Sequence, residues 1–167
     1  MRRSVQCSQT MDGYFLDPTG GDRGLSASAG PYIGDQIAAA EKAGGISATA
    51  ATMVRLLQTD HLDDQFAALA WLRKQNFVQP SRIAVAGNLF GGIETVLSVE
   101  RGGYCAGIDS AGGAQSWARA PELQSLMIRS VRNAKAPVFF FQAANDFDLS
   151  RSKILSAAMN GRARPTD

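Results

Sequence analysis

Residues 83–92 read Ile83-Ala84-Val85-Ala86-Gly87-Asn88-Leu89-Phe90-Gly91-Gly92, an apolar run that passes directly into glycine. Ile93, Val96 and Leu97 follow at helical spacing, so a short buried strand is expected to turn sharply into a helix. Glycine has no Cβ, and Gly87, Gly91 and Gly92 would let the strand and helix backbones approach closely. The residue at the apex of such a turn is lifted above the end of the sheet. Here that residue is Leu89.

Working outward, Arg82 to Gly87, Tyr104 to Asp109 and Pro137 to Gln142 are short strand candidates. They alternate with helical stretches: Gly91 to Glu100, then Ala120 to Asn133 with Leu123, Leu126, Met127, Ile128 and Val131, then Ser150 to Met159. Alternation at this spacing implies parallel strands joined by right-handed crossovers. Upstream, residues 49–75 carry Leu62, Phe66, Leu69 and Leu72 at helical spacing, and Asp60, Asp63, Asp64, Arg73 and Lys74 are available to face water. One long amphipathic helix is expected there, broken by Pro80 in the segment Asn76 to Ser81. Residues 1–48 are rich in Gly, Ser, Thr, Asp and Ala, with brief apolar pieces at Tyr14-Phe15-Leu16 and Tyr32-Ile33, and read as loops and turns. The fold class is α/β, a mainly parallel sheet flanked by helices, expected on both faces.

Two chemistries use a glycine-rich strand-to-helix turn. In G-x-S-x-G a strained turn presents a serine nucleophile, and the amide of the next residue forms half of an oxyanion hole. Gly87 and Gly91 supply the small residues and Phe90 the amide, but Leu89 has no nucleophilic atom. In G-x-G-x-x-G the turn cradles a pyrophosphate, and an acid about 20 residues on meets a ribose. Gly87, Gly92 and Asp109 fit that alternative, a dinucleotide-binding module. Leu89 again stands at the position that spoils it. What separates the two is Gln142-Ala143-Ala144-Asn145-Asp146 after the third strand, an acid where the Ser, Asp, His order of hydrolases needs one and where a dinucleotide site does not.

Asp63-Asp64-Gln65-Phe66-Ala67-Ala68-Leu69-Ala70-Trp71-Leu72, Pro80-Ser81-Arg82-Ile83-Ala84-Val85-Ala86-Gly87 and Gly91-Gly92-Ile93-Glu94-Thr95 together resemble the α/β-hydrolase fold. The branch is that of dienelactone hydrolases and prolyl-oligopeptidase-like esterases. Ala136-Pro137-Val138 through Asn145-Asp146 is similar to its strand leading to the catalytic acid. A weaker echo of an earlier loop lies at Arg23-Gly24-Leu25-Ser26 and Gly30-Pro31-Tyr32. The resemblance covers roughly residues 50 to 155. It implies a partial α/β-hydrolase fold: an irregular amino-terminal segment over 1–48, a hydrolase-like core over 49–160 and a polar tail over 161–167.

In that family the elbow residue attacks an ester or amide carbonyl, a histidine takes its proton and the acid orients the histidine. Carried onto this chain, Leu89 holds the nucleophile position, Phe90 the oxyanion amide, Gly87, Gly91 and Gly92 the elbow, and Asp146 the acid. No histidine follows Asp146, and the family's first strands are not recognisable before residue 50. The expectation is a member of the carboxylic-ester or acyl hydrolase class that is impaired or inactive, a pseudoenzyme. A non-catalytic fragment acting through a partner chain or as a homo-oligomer, by way of an open sheet edge, is the further alternative.

The remaining candidates read more plainly. His61, the sole histidine, reads as a helix-surface or boundary residue. Ser110, in Asp109-Ser110-Ala111-Gly112-Gly113, resembles a lipase motif and is the obvious substitute nucleophile, but Ile108 stands where an elbow needs glycine. Asp148 competes with Asp146 for the acid role; otherwise each is a loop carboxylate accepting backbone hydrogen bonds. Trp71 and Trp117 read as packing residues, Cys105 as a small core residue in a buried strand, and Cys7 and Cys105 as no disulfide framework.

Composition sets the outer bounds. At 167 residues, 45% hydrophobic and 19% charged, the chain is ordinary for a globular protein, and its net charge of +2 leaves no nucleic-acid footprint. Arg162 to Arg164 reads as a basic end. No apolar run is long enough for a secretory signal or a membrane span, so a cytoplasmic protein is expected. No metal or cofactor signal is found, and the partner expected of an active form is a small ester or acyl substrate.

Overall fold

The computed structural model of the chain describes residues 33–161. In order along the chain they form α1 (Ile33–Gln58), α2 (Asp60–Leu72), β1 (Val85–Asn88), α3 (Phe90–Arg101), β2 (Gly107–Ser110), α4 (Pro121–Asn133), β3 (Val138–Phe141) and α5 (Ser150–Asn160), with a 3₁₀ turn at Trp117–Arg119 before α4. They belong to two compact units, divided between Leu72 and Arg73. The boundary expected at residues 48 and 49 falls inside α1.

The first unit contains α1 and α2, which pack on each other. Residues 33–48, expected as loops, are helical. Asp35 to Ala43 is rich in Ala, Glu, Lys and Gln, all good helix formers, and composition alone hid that run. Gly44 and Gly45 interrupt α1 with non-helical backbone angles, Gly45 at φ 62°. The single helix expected over 49–75 is two helices, separated at Thr59, whose hydroxyl donates to the Arg55 carbonyl at 3.0 Å. Leu56, Leu57, Leu62 and Leu69 are buried, as the periodicity of the segment requires.

The second unit is a three-stranded sheet in the order β1-β2-β3, parallel throughout. All three strands lie within two or three residues of their expected positions. Because the order is monotonic, right-handed crossovers carry α3 and α4 to the same face of the sheet. That face consists of Val85, Gly87, Gly107, Asp109, Val138 and Phe140. A Cβ on Gly107 would touch Thr95 and Val99 of α3, and α5 sends Arg151 to Asp109 on the same side.

The expected α/β class holds, but in this unit the helices gather on one face and not on both. The opposite face carries Ala86, Asn88, Ile108, Ser110, Phe139 and Phe141. Ala86 and Asn88 are exposed, and Phe139 and Phe141 are 64% and 57% exposed.

The core lies between the sheet and its helices. Gly92 through Val99 are buried without interruption along α3. Leu123, Leu126, Met127 and Val131 bury one stripe of α4, and Leu155 and Met159 do the same for α5. Side chains lock α3 to α4: the Ser130 hydroxyl and the Asn133 amide donate to the Glu100 carboxylate at 2.6 and 3.0 Å.

Trp117 is buried, as expected of a packing residue, whereas Trp71 is 44% exposed on α2. Cys105 is half-buried just before β2, where its amide donates to the Ile83 carbonyl at 2.9 Å; Cys7 lies outside the described residues.

Candidate functional site

The turn between β1 and α3 is built by a collision that only glycine avoids. A Cβ on Gly87 would fall inside the radius of the Gly91 carbonyl group, and one on Gly92 would lie 2.7 Å from the Cα of Gly112. A Cβ on Gly91 would meet nothing. The requirement for small residues therefore rests on Gly87 and Gly92, and the expected need for glycine at position 91 is corrected. What matters at Gly91 is its main chain, which presses on Gly87.

Held between these contacts, Leu89 adopts φ 50° and ψ −109°. A leucine in that region is strained, and backbone strain of this kind is kept where the surrounding structure over-determines it, often at functional sites. Its amide donates to the Ser110 carbonyl at 2.9 Å, and its carbonyl accepts from Gly92 and Ile93 at 3.1 and 3.3 Å. The side chain is 50% exposed at the end of the sheet. Phe90 opens α3, where the first backbone amides of a helix are directed out of its end and favour negative charge.

Beneath the turn lies Asp109, the register partner of Gly87. Its side chain is fully buried in an ion pair with the equally buried Arg151 of α5, and its Oδ1 accepts the Gly112 amide at 2.9 Å. The guanidinium also stands 5.9 Å from the centre of the Phe140 ring. Burial raises the Asp109 carboxyl above its ordinary range, outweighing Arg151 and the Gly112 amide, which pull it down. Both of its oxygens are engaged and it has no solvent access. Arg151 is the residue that sequence reading missed. It stands four and eight positions before Leu155 and Met159, on the apolar stripe of α5, and a cation at such spacing is the signal of a buried ion pair.

Asp146 and Asp148 occupy the loop from β3 to α5. Asp146 accepts the Phe147 amide at 2.7 Å. Asp148 accepts the Ser150 amide at 2.9 Å and its hydroxyl at 2.6 Å; these bonds hold its carboxyl below the usual range. Both accept local backbone amides, as loop carboxylates do. Gln142 ties the loop down, its amide donating to the Asp148 carbonyl at 2.8 Å while its Oε1 accepts from the Ser152 hydroxyl at 2.5 Å.

Ser110 ends β2, half-buried, between Asn88 and Phe141 in register. Ala111 after it has φ 54°, so two strained non-glycine residues stand side by side at the carboxyl edge of the sheet. Turns follow Ser110, not a helix. His61, expected at a helix surface or boundary, is instead buried in α2 of the other unit, at 5% exposure.

Among the described residues no group of three or more His, Cys, Asp or Glu is placed to hold a metal, and no helix is long and apolar enough to cross a membrane. A surface hollow of about 430 Å³ runs along α4, lined by Ser125, Ile128, Arg129, Arg132 and Asn133. None of the turn's residues contributes to it. Comparison of the chain with protein-family models, with curated proteins and with solved structures gave no match.

Proposed function

We propose that this chain carries an α/β-hydrolase-class nucleophile elbow without its nucleophile, in a protein of the carboxylic-ester or acyl hydrolase class that does not itself perform acyl transfer. The observation that carries this reading is Leu89, held at φ 50° and ψ −109° between β1 and the first turn of α3. Such a backbone suits an exposed hydroxyl that must be presented at a helix end, and it is a costly way to place a leucine.

The parts divide as follows. Gly87 and Gly92 close the turn, and the Phe90 amide is the candidate oxyanion donor on this reading. Asp146 follows the third parallel strand, the position of the acid in hydrolase order. The isobutyl side chain of Leu89 has no lone pair with which to attack a carbonyl carbon. The sole histidine, His61, precedes the turn in the chain, whereas hydrolase order places the base last.

Hydrolysis of a short activated ester such as p-nitrophenyl acetate by the purified chain tests the reading. The expected rate is that of the heat-denatured protein, unchanged in Ser110→Ala. Turnover above that background that disappears in Ser110→Ala would overturn it and make Ser110 the nucleophile.

A further inference from the structure

Among the described residues β3 is an edge strand: it pairs with β2 alone, and its sequence, Val138-Phe139-Phe140-Phe141, contains no charge and no proline. The carbonyls of Pro137 and Phe141 accept from Gly107 of β2 and from Ala111 just after it. The backbone groups of residues 137, 139 and 141 therefore turn inward, and those of Val138 and Phe140 turn to the far edge. Edge strands of this composition, without lysine, proline or a bulge to blunt them, template pairing with another strand.

The surroundings select the partner. Exposed Arg101 and Lys135 lie together where β3 begins, the Lys135 ammonium donating to the Arg101 carbonyl at 3.1 Å. Asp146 and Asp148 lie beyond its end. An antiparallel β3 from a second copy would bring the basic end of each strand opposite the acidic end of the other, whereas parallel pairing would set like charge against like. Antiparallel pairing of identical strands also closes on a twofold axis, so it ends at a dimer. Phe139 and Phe141, 64% and 57% exposed on the open face, would become aromatic cross-strand pairs, which stabilise antiparallel ladders. The other edge, β1, is a weaker template because Gly87 interrupts its side chains.

We propose that β3 pairs antiparallel with β3 of a second copy of this chain, joining two three-stranded sheets edge to edge across a twofold axis. This interface is independent of the reading of the elbow and stands or falls separately from it.

Sedimentation velocity of the purified chain from about 1 to 200 μM, spanning the affinities of a modest interface, is the test. The expected result is a reversible monomer–dimer equilibrium that is absent in the Phe139→Lys/Phe141→Lys variant, both positions being exposed. Lys135→Glu and Asp146→Lys should each weaken the dimer several-fold, and their combination should recover it, because a charge swap repairs only an opposed pair. Circular dichroism confirms that each variant is folded. A monomer at every concentration, a dimer that survives the double lysine variant, growth into larger species, or a swap without recovery would each overturn the proposal.

Discussion

Asp109 of β2 and Arg151 of α5 form an ion pair from which solvent is fully excluded, and the carboxylate oxygen that accepts the Gly112 amide also abuts the backbone of the elbow at Gly92. One buried charge thus ties the turn, the loop after β2 and the first turn of α5 into one assembly. Removing either partner leaves the other buried without its counter-charge. Asp109→Asn and Arg151→Met should each cost about 3–5 kcal/mol in urea unfolding. The double variant should fall short of the sum by about 1–3 kcal/mol, the coupling of groups in direct contact. Strict additivity would show that the two residues stabilise the fold independently.

The glycines of the elbow should respond in opposite ways. Gly87→Ala drives a Cβ into the Gly91 carbonyl, a backbone clash that no rotamer relieves, so a loss of about 1–3 kcal/mol or more is expected. Gly91→Ala enters open space in the first turn of α3, where alanine loses less entropy than glycine; a gain of up to about 0.5 kcal/mol is expected. Thermal melts of the two single variants compare them directly.

Leu89 is strained by its own backbone angles, and a glycine there would not be. Strain of this kind is worth about 1–3 kcal/mol, and glycine returns roughly 0.5–1 kcal/mol of it as chain entropy. Leu89→Gly should therefore stabilise the protein by about 1 kcal/mol in chemical denaturation. Destabilisation would mean that the leucine side chain contributes more through contact than its backbone costs.

The pH dependence follows from Asp148, whose carboxyl is held below its ordinary range chiefly by the Ser150 hydroxyl, then by the Ser150 amide. A carboxyl with a lowered folded-state pKa adds stability above its unfolded value, near pH 4, and loses it as the pH falls toward the folded value. Asp148→Asn should melt below the wild type at pH 6, and the difference should shrink as the pH falls below about 4. A constant difference across that range would assign the loss to altered shape and not to ionisation.

The strand-to-helix alternation was legible because each element announces itself locally. Val85 and Ala86 run into glycine, Leu123 to Val131 keep helical spacing, and Val138 to Phe141 follow a proline. Local reading failed where the deciding interaction is distant in sequence. Asp109 and Arg151 stand 42 residues apart, and neither alone shows that it is paired. The placement of all three helices on one face depends on strand order, which periodicity does not encode. The tight turn between β1 and α3 was readable from its glycines. That the constraint falls on Gly87 and Gly92 and spares Gly91 required the three-dimensional approach of the Gly91 carbonyl.

Whether the proposed elbow lacks only a nucleophilic atom or the whole catalytic assembly is decided by placing a hydroxyl there. Leu89→Ser returns a hydroxyl to the strained position, yet it supplies no base to take the proton, and residual catalysis without the triad comes only from binding and the oxyanion hole. The turnover of p-nitrophenyl acetate by purified Leu89→Ser, with folding checked by circular dichroism, is the measurement. The expected rate stays at the wild-type background; a rate approaching that of an intact serine hydrolase would contradict the account and show that a base reaches the elbow after all.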